Sequence, residues 1–137
     1  MNGLSAEARK RVFGDYVPGY AAPVSLTEKL GLESINFASL SSQLSPGSHA
    51  ELDKVLSYLN ENPNAKILIE GHTDANKSYD QALSEARADE AKLYLAMNGI
   101  DPSRVETIGY AGTKPIVEGT SSEARAANRR IEIQLSN

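Results

Sequence analysis

The 137-residue sequence contains no cysteine. That excludes disulfides, thiol nucleophiles and thiolate zinc sites. It fits any compartment, including an oxidising one in which a stray thiol would be a liability. Histidine is scarce as well: His49 and His72 are the only two, too few for a histidine-rich metal site. Basic charge is not in excess. Fourteen Lys and Arg stand against eighteen Asp and Glu, for a net charge of −4 and a pI near 5.2, which argues against nucleic-acid binding through a basic surface. No apolar run approaches the ~20 residues that span a membrane. The opening MNGLSAEARK also lacks the apolar stretch of a signal peptide. The chain is therefore expected to be either cytoplasmic or a piece of a longer exported protein. There is no G-x-S-x-G elbow, no phosphate-binding glycine loop, and no internal repeat or low-complexity segment beyond a serine-rich loop. Nothing in the chain argues for an enzyme, a cofactor or a metal.

What is present is ordinary for a globular domain: 40% hydrophobic and 23% charged residues, in a length that allows one domain with a short appendage and a core that needs no staples. Residues 1–23 read as an N-terminal extension or linker. Ala6 to Phe13 has the pattern of a short helix with Ser5 as N-cap. Gly14, Pro18, Gly19 and Pro23 then break regular structure, and Tyr16 and Tyr20 are candidates to dock the segment. The domain proper is expected over residues 24–137.

Its elements follow from periodicity. Val24 to Phe37 holds strand-like residues, giving one or two strands with a turn near Gly31. A loop rich in serine, containing Pro46-Gly47, leads to a helix over Ser48 to Asn60, with Leu52, Val55, Leu56 and Leu59 on one face. Ser48 and Glu51 have the spacing of a capping box. Lys66 to Glu70 is a central strand whose consecutive Ile67, Leu68 and Ile69 predict cover on both faces. A second helix runs from Ser78 to Asn98 and stops at Gly99. Val105 to Tyr110 is a strand, Ser122 to Ala127 a short helix and Asn128 to Leu135 the last strand. Alternation in that strand puts Arg129, Ile131, Ile133 and Leu135 on the core side and Arg130, Glu132 and Gln134 on the other. The order predicts an α/β (α+β) sandwich: a four-stranded mixed sheet with two main helices and one short one.

One stretch, ILIEGHTDANKSYDQALSEAR from Ile67 to Arg87, stands out. The strand ends in a polar loop at Gly71-His72-Thr73-Asp74. The helix that follows places Asp80, Ser84 and Arg87 on the same side as Leu83, Ala88, Ala91, Tyr94 and Leu95. A helix built only for packing would not carry a polar half on its inward face. Asp74, Arg87 and Arg129 are expected to converge at one edge of the sheet. Two explanations stand side by side. In one, the cluster is a pocket for a small zwitterion, with Arg87 gripping a carboxylate through its planar fork, Asp74 accepting from an ammonium, and backbone N–H groups of the loop and helix N-terminus adding donors. In the other, Asp74 and Arg87 form a structural salt bridge that ties loop to helix. His72 is either a base beside Asp74 or, as is commoner, a turn cap bonded to backbone. Asp80 either caps the helix or bonds within the loop, or else it organises the loop around the ligand. Tyr79, Tyr94 and Tyr110 read as core or rim packing, and Lys77 and Lys114 as solvated.

The motifs I-x-I-E-G-H-T-D, L-S-E-A-R-A and N-R-R-I-E-I, in that order, resemble the OmpA-like domain of outer-membrane protein A, peptidoglycan-associated lipoproteins and flagellar-motor stator proteins. The resemblance covers Leu32 to Leu135 and extends to Phe37, Leu44-Ser45-Pro46, Gly99-Ile100, Val105, Gly109-Tyr110, Gly112 and Pro115. It implies the OmpA-like fold and non-catalytic, non-covalent binding of peptidoglycan through the diaminopimelate of its stem peptide. Such binding would anchor an envelope protein or the outer membrane to the wall. The implied ligand-binding residues are Asp74 of the G-H-T-D loop and Arg87 of the L-S-x-x-R-A helix, with Thr73, Asp80, Asn128 and Arg129 lining or supporting the site. It also implies a periplasmic location in a Gram-negative bacterium, with envelope proteins as further partners and membrane attachment only through parts outside this chain. The link Ala75 to Asp80 departs from the family pattern: it is short, has no glycine and ends in Asp80 where Asn is usual. That departure supports an alternative, an OmpA-like scaffold with weak or lost peptidoglycan binding that docks a protein partner.

Overall fold

The computed structural model describes residues 24–136. The helix expected at Ala6 to Phe13, the docking of Tyr16 and Tyr20 and the linker assignment of residues 1–23 lie outside the described residues.

The strand at the centre of the fold, β2 (Ile67–Gly71), is buried at all five positions, as its run of apolar residues predicts. It is hydrogen-bonded on both edges. β3 (Val105–Gly109) pairs with it in parallel, Ile67 opposite Val105 and Gly71 opposite Gly109. β4 (Arg130–Leu135) pairs antiparallel, Ile67 opposite Leu135 and Gly71 opposite Ile131. A two-residue β1 (Ile35–Asn36) adds to the far side of β4, so the sheet order is β1-β4-β2-β3. A parallel pair needs a crossover, and helix α3 (Asp80–Met97) supplies it between β2 and β3. Helix α2 (Pro46–Glu61) lies beside α3 and β1. A short α4 (Ser122–Asn128) precedes β4, and a 3-10 turn (Pro102–Arg104) precedes β3.

The core is the layer between sheet and helices. Leu52, Val55 and Leu59 of α2 and Ala88, Ala91 and Leu95 of α3 meet Ile67, Ile69 and Ile133, all essentially without exposure. Each full burial of a large aliphatic contributes about 1.5–3 kcal/mol. Gly71 sets how closely α3 can approach: a Cβ there would run into the backbone carbonyl of Ser84. Gly99 ends α3 at φ +101°, the left-handed conformation that releases the chain after Asn98.

Four local expectations are corrected. Residues 25–29 are not a strand: Ser25 makes one bridge to Gln134, and Leu26–Lys29 forms a helical turn, α1, that seats Leu26 in the core. The reason is the S-x-x-E spacing, in which the Ser25 hydroxyl accepts from Glu28 N at 3.2 Å. The cap of α2 is Ser45, not Ser48. Its Oγ accepts from Ser48 N at 3.1 Å and Pro46 takes the first helical position, where a missing N–H is harmless. Glu51 closes no capping box; it accepts from Glu33 N at 2.8 Å and pairs with Lys54. α3 starts at Asp80 rather than Ser78. Finally, β4 starts at Arg130, leaving Asn128 in α4 and Arg129 as its cap. Arg129 is half-buried rather than on the core face, while Arg130 lies on the other face as expected but is buried there.

Candidate functional site

The site lies where β2 runs out of the sheet. The chain does not leave abruptly: His72 N donates to Arg130 O and Thr73 N to Ala111 O, both at 2.9 Å, so two further residues stay paired on opposite edges. This delivers Asp74 to the end of the sheet with its side chain about one-fifth exposed. The Thr73 hydroxyl donates to Ala75 O at 2.7 Å and so curls the chain after Asp74.

Asp74 pairs with Arg129, whose Nη1 donates to Oδ2 at 3.1 Å. Arg129 is anchored behind the pair by Nε, which donates to Phe37 O at 2.8 Å. Asp74, Arg87 and Arg129 therefore converge as expected, but the anticipated Asp74–Arg87 salt bridge is not the contact that forms. Arg87 has no exposed surface. Its Nη1 donates to His72 O at 2.9 Å, its Nε to Ser41 O at 2.9 Å and its Nη2 to Ala38 O at 3.1 Å. The guanidinium also lies over the Phe37 ring, 5.1 Å from its centre, a favourable cation–π placement. Burial, and then the neighbouring Arg129 charge, push its pKa below the ordinary arginine value, while Asp74 and Asp80 push back. A guanidinium so far from neutrality stays charged at physiological pH. Arg87 does tie loop to helix, through carbonyls instead of a carboxylate.

The polar half of α3 now has a physical account. This end of the helix overhangs the end of the sheet, where it meets loop backbone instead of strand side chains, and buried backbone groups need partners. Asp80 Oδ2 accepts from Lys77 N at 2.7 Å and closes the link from Asp74. Ser84 Oγ accepts from Ala111 N at 3.0 Å and holds the loop after β3. Arg87 holds the loop between β1 and α2. Asp80 thus makes a bond within the loop, the structural role foreseen for it. Asn128 is buried beside this region, but its side chain faces the loop after β3: Oδ1 accepts from Ile116 N at 2.7 Å and Val117 N at 3.2 Å, and Nδ2 donates to Val117 O at 2.9 Å. It latches that loop to the end of α4.

The second face of the sheet carries an arrangement that the sequence reading missed. Glu70 and His72 are both buried there, His72 Nε2 lying 3.4 Å from Glu70 Oε1. The His72 ring therefore turns to Glu70, away from the role of a base beside Asp74. It stacks on Tyr110 with centroids 5.6 Å apart, and Lys114 Nζ sits 3.8 Å from the centre of that ring. Lys114 is accordingly buried, contrary to its expected solvation. Arg130 closes the group, donating to Glu132 at 2.7 Å and to Lys114 O at 3.0 Å. The signal was the alternation itself: Glu70, His72 and Arg130 all fall on the outer face of a sheet whose central strand is apolar on both. Tyr79, expected to pack, is about half exposed at the start of α3.

A sequence model of the OmpA family matches residues 36–129, a span that includes Thr73, Asp74, Asp80, Arg87, Asn128 and Arg129. The chain is 33% identical over 115 residues to the peptidoglycan-associated lipoprotein of Pseudomonas putida, covering 80% of this chain and 69% of that protein. It is 31% identical over 116 residues to outer membrane porin F of Pseudomonas fluorescens, covering 83% of this chain but only 35% of the porin. The chain thus spans about a third of that relative. Among solved structures, the peptidoglycan-associated lipoprotein from Burkholderia pseudomallei superposes with a TM-score of 0.72 at 27% identity, over 78% of this chain and 92% of the other. The cell wall anchor of the T6SS from Pseudomonas aeruginosa does so at 0.61 and 31% identity, over 73% of each.

Proposed function

Since the chain belongs to the OmpA family, we propose that it is a peptidoglycan-binding module that anchors an envelope protein or the outer membrane to the cell wall, without catalysis. The observation that carries this is the partly exposed Asp74–Arg129 pair set over the buried Arg87 at the end of β2. It offers a carboxylate and a guanidinium at the surface, with the buried Arg87 charge close by. Relatives named for association with peptidoglycan or for anchoring to the cell wall support the coarse reading.

The finer proposal is that the recognised group is the diaminopimelate of the stem peptide. Asp74 takes the ammonium, and Arg87 and Arg129 supply the positive side for the carboxylate. Thr73 and Asp80 hold the loop between them, and Asn128 fixes the neighbouring loop. We place the module on the periplasmic side of a Gram-negative envelope. Among the described residues, no helix is long and apolar enough to cross a membrane. The test is co-sedimentation with purified sacculi of the diaminopimelate type: wild type is expected in the pellet and Asp74→Ala in the supernatant. Wild-type protein that stays in the supernatant would sink the proposal.

A second reading, a scaffold that docks a protein partner, has one observation in its favour. Leu40 is 67% exposed in the loop that receives Arg87, and Tyr79 is 47% exposed where α3 begins. Failure to sediment with sacculi, together with intact folding, would turn the balance to it.

A further inference from the structure

We propose that residues 1–23 fold back across the outer face of the sheet and cover it as a third layer, the basic run Arg9-Lys10-Arg11 meeting its acidic row and the apolar residues that follow meeting Leu68. The helices that pack on β2, β3 and β4 are α1 and α3, and both turn their buried side chains to the core face. On the other face Leu68, Glu70 and His72 nevertheless keep only 9%, 4% and 1% of their surface open. His72 has its cover at hand, in the Tyr110 ring that stacks on it and the loop that carries Lys114. Leu68 lies between Glu106 and Gln134, and Glu70 between Ile108 and Glu132. Of these four, Glu106 is exposed and the others are half-buried. A sheet with one face in water alternates apolar and polar residues along its strands. Leu68 breaks that alternation and is nearly as dry as the core, so it needs material above it.

The described chain begins in the right place. Val24 O accepts from Leu135 N at 2.8 Å and Ser25 bridges to Gln134. Residue 24 therefore lies beside β4, two strand spacings or about 10 Å from β2. A segment of this length reaches up to about 75 Å, far more than crossing the face requires. Charge matches as well. Glu70 stands directly opposite Glu132, with Glu106 on the neighbouring strand of the same face, and like charges opposite each other are unfavourable. Arg130 is engaged with Glu132 at 2.7 Å, while His72 meets Glu70 only at 3.4 Å, long for a charged hydrogen bond. Residues 1–23 carry three basic side chains, Arg9, Lys10 and Arg11, against two acidic ones, Glu7 and Asp15, so they are net basic in a chain whose net charge is −4. Phe13, Tyr16, Val17 and Tyr20 follow the basic run and supply the apolar cover for Leu68 and Ile108. The outer face is then an internal contact of this chain, closed to a protein partner. It is separate from the site at the end of β2 and does not depend on what that site binds.

The test uses the full 137-residue chain, whose lack of cysteine lets a nitroxide label be placed at a single introduced thiol. Glu106→Cys puts the label on the outer face, and Leu93→Cys puts it on the exposed side of α3, across the sheet. With the label at position 106, the amide NMR signals of residues 9–20 are expected to vanish and to return when the nitroxide is reduced. With the label at position 93 they should persist. In a mixture of labelled, unenriched protein and unlabelled, nitrogen-15-enriched protein they should also persist. Combining Arg9→Glu, Lys10→Glu and Arg11→Glu should restore them under the label at position 106, while the Leu68 amide stays lost and so reports an intact sheet. Signals of residues 9–20 that persist under the label at position 106, or that vanish equally under both labels, overturn the proposal. Loss in the mixed sample gives the face to a second copy and overturns it too. Loss that survives the triple charge reversal overturns the matching of the basic run to the acidic row.

Discussion

Replacing Arg87 with alanine separates a frame residue from a ligand residue more cleanly than any other change in this protein. The substitution removes three hydrogen bonds at once, to Ala38 O, Ser41 O and His72 O, in a place with no solvent contact. It also removes the cation over Phe37. An orphaned buried acceptor costs about 1–3 kcal/mol, so the upper limit for three is about 9 kcal/mol. Water can enter the polar space left behind and satisfy part of it, which brings the expected loss to about 3–5 kcal/mol. For a domain of this size about 4 °C of midpoint accompanies each kcal/mol, so thermal unfolding should fall by roughly 12–20 °C. Urea titration followed by circular dichroism should report the same loss with the slope unchanged, because the surface exposed on unfolding is similar. A fall of less than about 4 °C with peptidoglycan binding abolished would refute the reasoning: Arg87 would then be a ligand group whose carbonyl contacts are incidental.

Three further outcomes are expected. Gly71→Ala drives a methyl into the Ser84 carbonyl and should cost about 3 kcal/mol or more; a urea midpoint near wild type would show that α3 can shift away from β2. Ser45→Ala removes the cap of α2 and should cost about 1 kcal/mol, measured by the same titration; no change would mean that Pro46 alone sets the helix start. Glu51 has its pKa lowered by the bond from Glu33 N and by Lys54. A carboxyl depressed in the folded state stabilises above its unfolded value and loses that contribution as pH falls through the folded one. Acidification below its ordinary value of 4.5 should therefore weaken the tie between Glu33 and α2. Glu51→Gln should flatten the acid limb of a stability–pH curve, and an unchanged limb would refute the assignment.

Much of the architecture was legible because it rests on periodicity. The run Ile67-Leu68-Ile69 announced a strand covered on both faces, and the 80/84/87/88/91/95 spacing put polar and apolar residues on one side of α3, as found. The misreadings came where short-range chemistry competed with pattern. Val24 to Leu32 has strand-like composition, yet Ser25 and Glu28 close a helical turn. Pro46-Gly47 looked like a break in a loop, yet proline sits comfortably in a first helical turn after Ser45. Lys114 looked solvated because nothing in its neighbourhood along the chain predicts the Tyr110 ring beneath it or the Arg130 guanidinium bonded to its carbonyl.

The sequence by itself determined which residues meet. Strand order and helix phase brought Asp74, Arg87 and Arg129 to one end of the sheet, and the motifs around them named the family. Tertiary structure alone decided how they pair. Arg87 is reached by three carbonyls from two loops far apart in the chain, and those carbonyls occupy its fork before Asp74 can. Asp74 is left to Arg129, which comes from the end of α4. The physical reason is that buried backbone acceptors must be satisfied wherever a fold happens to bring them. No spacing within a single segment records where those acceptors will lie.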